Sequence, residues 1–145
     1  MSEIREARLL KANSLLSKGF PSYAESFRVS HTTNFLIQKF DYLENGQEED
    51  FSISIAGRVM SKRVMGKIAF FTIRDQEGQI QLYLDKKIIN YNKENQELLS
   101  FEDIKEIVDI GDWIGVYGII KKTNKGEISI KVEKWEMLSK SLQPL

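Results

Sequence analysis

From Phe51 to Trp135 apolar and polar residues largely alternate, and a period of two assigns each side chain to one face of a sheet. Phe51, Ile53 and Ile55 share one face and Ser52, Ser54 and Ala56 the other, which predicts a half-buried strand running into Gly57 and Arg58. A glycine inside that pattern predicts a bulge or sharp bend. After a basic, glycine-bearing loop, a second strand from about Lys67 to Arg74 sets Ala69, Phe71 and Ile73 against Ile68, Phe70 and Thr72. Asp75-Gln76-Glu77-Gly78 places Asp and Gly at the ends favoured by a type I turn. The third strand, Gln79 to Asp85, points Ile80, Leu82 and Leu84 inward and Gln79, Gln81 and Tyr83 outward.

A polar stretch follows, and then Ser100 with Asp103 reads as a capping box opening a helix whose apolar stripe is Phe101, Ile104, Ile107 and Val108. Trp113 to Lys122 is a fourth strand, Thr123-Asn124-Lys125-Gly126 a turn, and Glu127 to Trp135 a fifth strand. Ahead of Phe51 the spacing is helical. Leu9, Ala12, Leu15 and Leu16 predict a helix from Ile4 to Lys18, closed by Gly19 and Pro21. A shorter second helix follows, capped by Thr33 or Asn34 and carrying Phe35, Leu36, Lys39, Phe40 and Leu43, before a polar, acidic loop from Glu44 to Asp50. The tail MLSKSLQPL loses periodicity. Five strands with one helix between the third and fourth is the order of the OB-fold, a mainly β, partly open Greek-key barrel that binds oligonucleotides. The expected division is an N-terminal helical extension over 1–50 packing on the barrel, the barrel over 51–136, and a linker over 137–145.

At 145 residues the chain accommodates one domain with an appendage. Lys+Arg at 21 balance Asp+Glu at 21, so net charge favours no class of partner. The absence of cysteine excludes disulfides, thiolate metal sites and a Cys nucleophile. No apolar run approaches the ~20 residues that span a bilayer. The start is too charged for a secretory signal, and Glu3 and Glu6 argue against a mitochondrial presequence. The chain is therefore expected to be cytoplasmic, with no membrane partner. Only His31 could carry protons near neutral pH, and its lone place in a mixed segment reads as a solvated or packed residue. No phosphate-binding loop, zinc-protease helix or nucleophile elbow is present, so the expectation is no catalytic residue, no metal site and no enzyme activity from this stretch by itself.

Three features instead suggest single-stranded nucleic acid. Between Phe51 and Arg74 the charged residues are Arg58, Lys62, Arg63, Lys67 and Arg74, with no carboxylate among them, a local attraction for a phosphate backbone. An ordinary solvated basic edge would look the same. Phe70 faces outward although Phe71 beside it already fills the core, and a free aromatic face stacks a base for ~1–3 kcal/mol. The competing role for Phe70 is packing beneath the N-terminal helices. Gln81 lies outward on the paired strand, where its amide supplies a donor and an acceptor to a base edge. Glu127, just after the Lys125-Gly126 turn, opens the last strand near the expected binding face, where its carboxylate could accept a base N–H.

GRVMSKRVMGKIAFFTIRDQEGQIQLY followed by GDWIGVYGIIKKTNKGEISIKVEKWEMLSKSLQPL resembles the N-terminal anticodon-binding domain of bacterial-type class II lysyl-tRNA synthetases, over roughly Ser26 to Leu145. The resemblance implies recognition of the uridine-rich anticodon of tRNA-Lys, with Phe70 stacking on the central uridine and Arg63, Gln81 and Glu127 touching base edges. Arg58, Lys62, Lys67 and Lys125 would then contact the RNA backbone. The family's catalytic domain follows the QPL-type exit. ATP, magnesium and lysine attachment are therefore expected there, with no cofactor in this stretch, and homodimerisation is expected of the parent more than of a stretch that can stand as a monomer. Two other readings stay open, a general single-strand-binding module and a protein-interaction or oligomerisation module in which Phe70 makes a protein contact.

Overall fold

The computed structural model describes residues 27–93 and 99–141, so the helix expected from Ile4 to Lys18 lies outside the described residues. The described elements are α1 (Thr33–Lys39), β1 (Glu48–Met65), β2 (Ile68–Arg74), β3 (Gln79–Asp85), α2 (Lys86–Asn92), α3 (Phe101–Ile107), β4 (Trp113–Lys122) and β5 (Ile128–Ser139). The strands close into a barrel in the order β1-β2-β3-β5-β4. Only the β3–β5 pairing is parallel, and β1 against β4 shuts the ring. The inward residues predicted by alternation fill it: Ile53, Ile55, Phe71, Ile73, Leu82, Leu84, Ile130 and Val132 are all buried. In β2 and β3 buried residues alternate strictly with more exposed ones, the arrangement that a period of two dictates for a sheet with a single core.

The basic loop expected after Gly57 is strand. Residues 61–65 pair with residues 68–72, and the connection narrows to Gly66 and Lys67. Gly57 marks a close approach, since a Cβ there would stand 2.9 Å from the Arg74 carbonyl oxygen. The register shift itself falls two residues later, between Val59 and Ser61.

Helix α1 is capped by Thr32, whose hydroxyl accepts from the Phe35 N–H at 3.4 Å, one residue before the expected cap. Thr33 is buried and donates from its backbone N–H and its hydroxyl to the Asp75 carboxylate, both at 2.8 Å. The same carboxylate accepts from the N–H groups of Glu77 and Gly78. Burial alone would raise the Asp75 carboxyl, but these four donors outweigh it and hold it below its ordinary value. The β2–β3 turn is thereby stapled to α1, which sends Leu36 into the barrel core, followed by Phe40 and Leu43.

Two segments differ from expectation on the far side of β3. The polar stretch contains α2, which Asp85 caps by accepting from the Lys87 N–H at 2.9 Å. Its KKIINYN sequence buries only Ile89, too little apolar periodicity to announce a helix. Ser100 and Asp103 do form the predicted capping box on α3. The other difference is at the C-terminal end, where the expected linker begins too early. β5 continues through Ser139 and Met137 is buried opposite Ile114. Beyond it Lys140, its side chain 3 % exposed, inserts its ammonium between Asp109 and the fully buried Asp112 and also donates to the Ile107 carbonyl oxygen. Ser141 N–H closes the knot on Asp112 at 2.7 Å. At the other boundary β1 starts at Glu48, and Leu36 of α1 belongs to the same buried cluster as the strands.

Candidate nucleic-acid interface

On the wet face of the barrel, antiparallel register places Arg63 of β1 opposite Phe70 of β2, and Phe70 opposite Tyr83 of β3. The parallel pairing extends this row to Lys131 of β5. Phe71 fills the core, so the pleat turns Phe70 outward, where it is half-buried. Its ring meets Tyr83 edge-on with centroids 5.6 Å apart, and the Arg63 guanidinium lies 5.2 Å over its centroid. Helix α1 is anchored on the β2–β3 turn, at the opposite end of β2 from Phe70.

The next row runs through Thr72, Gln81 and Ser129. Gln81 faces Thr72 across the hairpin, so it reaches Phe70 diagonally. Its Nε2 donates to the Ser129 hydroxyl at 2.9 Å, which fixes the amide while, among the described residues, the Oε1 oxygen keeps no protein partner. Glu127 approaches from the opposite wall. Its N–H donates to the Thr123 hydroxyl at 3.1 Å, and Gly126 supplies the positive φ of 90° that the β4–β5 turn requires. The acidic loop before β1 buttresses this turn, with Asn45 Nδ2 donating to the Asn124 carbonyl at 3.2 Å and Gly46 N–H to that of Lys122 at 2.8 Å.

These elements enclose a groove of about 620 Å³, and Arg63, Phe70, Gln81, Lys125 and Glu127 all line it. Five of the residues singled out from the sequence therefore converge. Tyr83, Lys121 and Asn124 line it too and were not among them. Tyr83 was legible as an outward aromatic in a clean alternation. Lys121 was not, because its place, 5.5 Å from the Tyr83 ring centroid, depends on β4 pairing with β5 and β5 with β3.

Three other cations expected at the RNA backbone lie elsewhere. Lys62 is a correction. It pairs opposite the inward Phe71, and its ammonium donates to the carbonyl oxygens of Lys105 and Val108 at the C-terminus of α3, where a positive charge meets the negative end of the helix. Lys67 is exposed at the β1–β2 tip and does not line the groove. Arg58 stands on the same outer face but opposite Arg74, beside a separate cavity.

Glu48 anchors Lys121 of the groove wall. Its carboxylate pairs with Lys121 at 3.2 Å and Lys131 at 3.0 Å. Burial pushes the carboxyl up, but the two ammonium groups win and hold it below its ordinary value. A folded value below the unfolded one means this stabilisation is present above about pH 4.3 and is lost as pH falls through the folded value. Glu48→Gln should remove that part of the acid-unfolding profile. By freeing two cations it should also tighten binding to single strands regardless of base and steepen the salt dependence. Unfolding across the acid range and binding titrations at several salt concentrations check both.

Residues 53–138 match the tRNA anticodon family described as an OB-fold nucleic acid binding domain. Lysine–tRNA ligase from Prochlorococcus marinus strain MIT 9312 is 89 % identical over 145 residues, which is 100 % of this chain and 28 % of the relative. The ligase of strain MIT 9301 is 86 % identical with the same coverage. That of Synechococcus sp. strain RCC307 is 50 % identical over the whole chain and 27 % of its own length. The chain thus spans about 28 % of the length of these curated relatives. Since the matched span runs from Ile53 in β1 to Leu138 in β5 and takes in all five strands of the barrel, the chain belongs to the tRNA anticodon family of OB-fold nucleic acid binding domains.

Proposed function

We propose that the barrel reads the uridine-rich anticodon of a lysine-accepting tRNA, as the recognition module of a lysine–tRNA ligase. The observation that carries this reading is the composition of this groove: an aromatic face bounded by the acceptor Oε1 of Gln81, the carboxylate of Glu127 and the donor Arg63. Uracil presents one ring N–H between two carbonyl oxygens, so its edge needs an acceptor flanked by donors. Cytosine presents a lone pair at that ring nitrogen and would face Gln81 Oε1 or Glu127 with like polarity, leaving buried groups unpaired.

Arg63 occupies the face of Phe70 that a base would use. A cation–π contact at an exposed site is worth about 0.5–1 kcal/mol, less than the ~1–3 kcal/mol of base stacking. A base therefore displaces the guanidinium, which swings to the base edge or its phosphate. Lysine attachment would be the work of sequence beyond the groove, with ATP and magnesium bound there. Among the described residues no three carboxylates or histidines gather to hold a metal ion. Competition between an anticodon stem-loop with a uridine-rich loop and the same stem with cytidines in the loop tests the reading. At least tenfold preference for uridine is expected. Equal affinity, or equal binding of the deoxyribose version, would favour a general single-strand binder instead.

A further inference from the structure

Beyond the groove, the outer face carries a second cationic row that neither the fold nor the base site explains. Register places Trp113 of β4, Arg58 of β1 and Arg74 of β2 side by side on three adjacent strands. Both arginines are exposed, and Arg58 extends its guanidinium 5.8 Å over the Trp113 ring centroid. Directly opposed like charges on paired strands are destabilising. Among the described residues no carboxylate forms an ion pair with either guanidinium. Asp75 borders the same cavity, but its oxygens are committed to Thr33 and to the turn amides of Glu77 and Gly78. The cavity of about 320 Å³ between these side chains is open and has room for a compact anion.

The row's position says which anion. Arg74 lies four residues from Phe70 along β2 on the same face, about 13 Å at the rise of an extended strand. Gln81 and Thr72 stand between them. Single-stranded sites on such barrels cover about 4–16 nucleotides, so a strand seated on Phe70 continues past the ring. We propose that Arg58, Arg74 and Trp113 form a second subsite that binds a backbone phosphodiester of the same RNA strand, flanking the bases read in the groove. The proposal rests on the anticodon-reading role. Planar guanidiniums suit phosphate oxygens in a two-pronged contact, and Trp113 holds one of them in place by stacking. Phosphate contacts position a strand without reading sequence.

Arg74→Gln and Arg58→Gln, assayed by fluorescence anisotropy on the 145-residue chain, test this. Each should weaken binding of the uridine-rich and cytidine-substituted stem-loops by the same factor, about 3–10-fold. Each should also lower the slope of log affinity against log salt by about 0.7, leaving the uridine preference unchanged. Lys87→Gln, an exposed cation on α2, controls for net charge, and an unchanged urea midpoint confirms folding. The proposal is overturned if Arg74→Gln leaves affinity and slope as in the parent, a result that assigns the row to a protein contact, or if its loss merely equals that of Lys87→Gln. A parent chain that shows no preference between the two loops would instead sink the anticodon reading, so the two failures are separable.

Discussion

Phe70→Ala should weaken binding to the uridine-rich stem-loop by about 1–3 kcal/mol, roughly 5–150-fold, while changing folding stability by no more than about 1.5 kcal/mol. The asymmetry follows from the face Phe70 occupies. Its ring is half-buried against Tyr83 and Arg63 on the wet side of the sheet, so truncation removes a stacking surface without opening a cavity in the core. Phe71→Ala is the matched opposite, since Phe71 is 0 % exposed and a fully buried aromatic costs about 3–5 kcal/mol when removed. Phe70→Tyr keeps the ring face and should retain most of the affinity. Binding titrations and urea unfolding on the three variants measure both quantities. Tight binding retained by Phe70→Ala would remove the ring from the site altogether.

Asp112→Ala is expected to cost about 3–5 kcal/mol of stability, the usual penalty for stripping one partner from a buried ion pair. Asp112 is 0 % exposed, and its carboxylate accepts from the Lys140 ammonium, from Asp109 N–H at 2.8 Å and from Ser141 N–H at 2.7 Å. Asp109 and the Ile107 carbonyl would still hold Lys140, which places the cost toward the lower end. This cluster binds the end of β5 to the segment between α3 and β4, so its loss should fray the chain's exit from the barrel before the groove. An unfolding free energy from urea titration that falls by less than about 1 kcal/mol would show that the pair adds geometry and little stability. Hydrogen exchange should report the faster opening at residues 137–141, with the amides of β2 and β3 less affected.

The groove was readable in the sequence where a strand's own phase sets the outcome. Phe70 and Gln81 follow from alternation in two strands whose limits were close to those observed, and Glu127 follows from a turn of four residues. Lys62 was misplaced because the stretch after Gly57 looked like a loop, and a loop has no phase. Recognised as strand, the pairing of Arg63 with Phe70 would have turned Lys62 to the opposite face at once. Helix α2 escaped because a seven-residue segment with one buried side chain has no stripe, and its formation rests on the Asp85 cap and on packing against β5 and α3. The end of β5 escaped because WEMLSK mixes charge with apolar residues, and only its pairing with β4 shows which face is dry.

By itself the sequence determined the succession of five strands along the chain, the buried face of most of each strand and the outward aromatic, because these depend on periodicities within a few residues of one another. The tertiary structure alone decided which outward residues become neighbours. Closing β1 against β4 and β3 against β5 brings Lys121 to a groove whose centre lies on β2 and β3, sets Arg58 between Trp113 and Arg74, and turns the acidic loop into a buttress for Glu127. Those juxtapositions join positions far apart along the chain, and registers between strands arise from the packing of the whole barrel, which no local pattern of residues encodes.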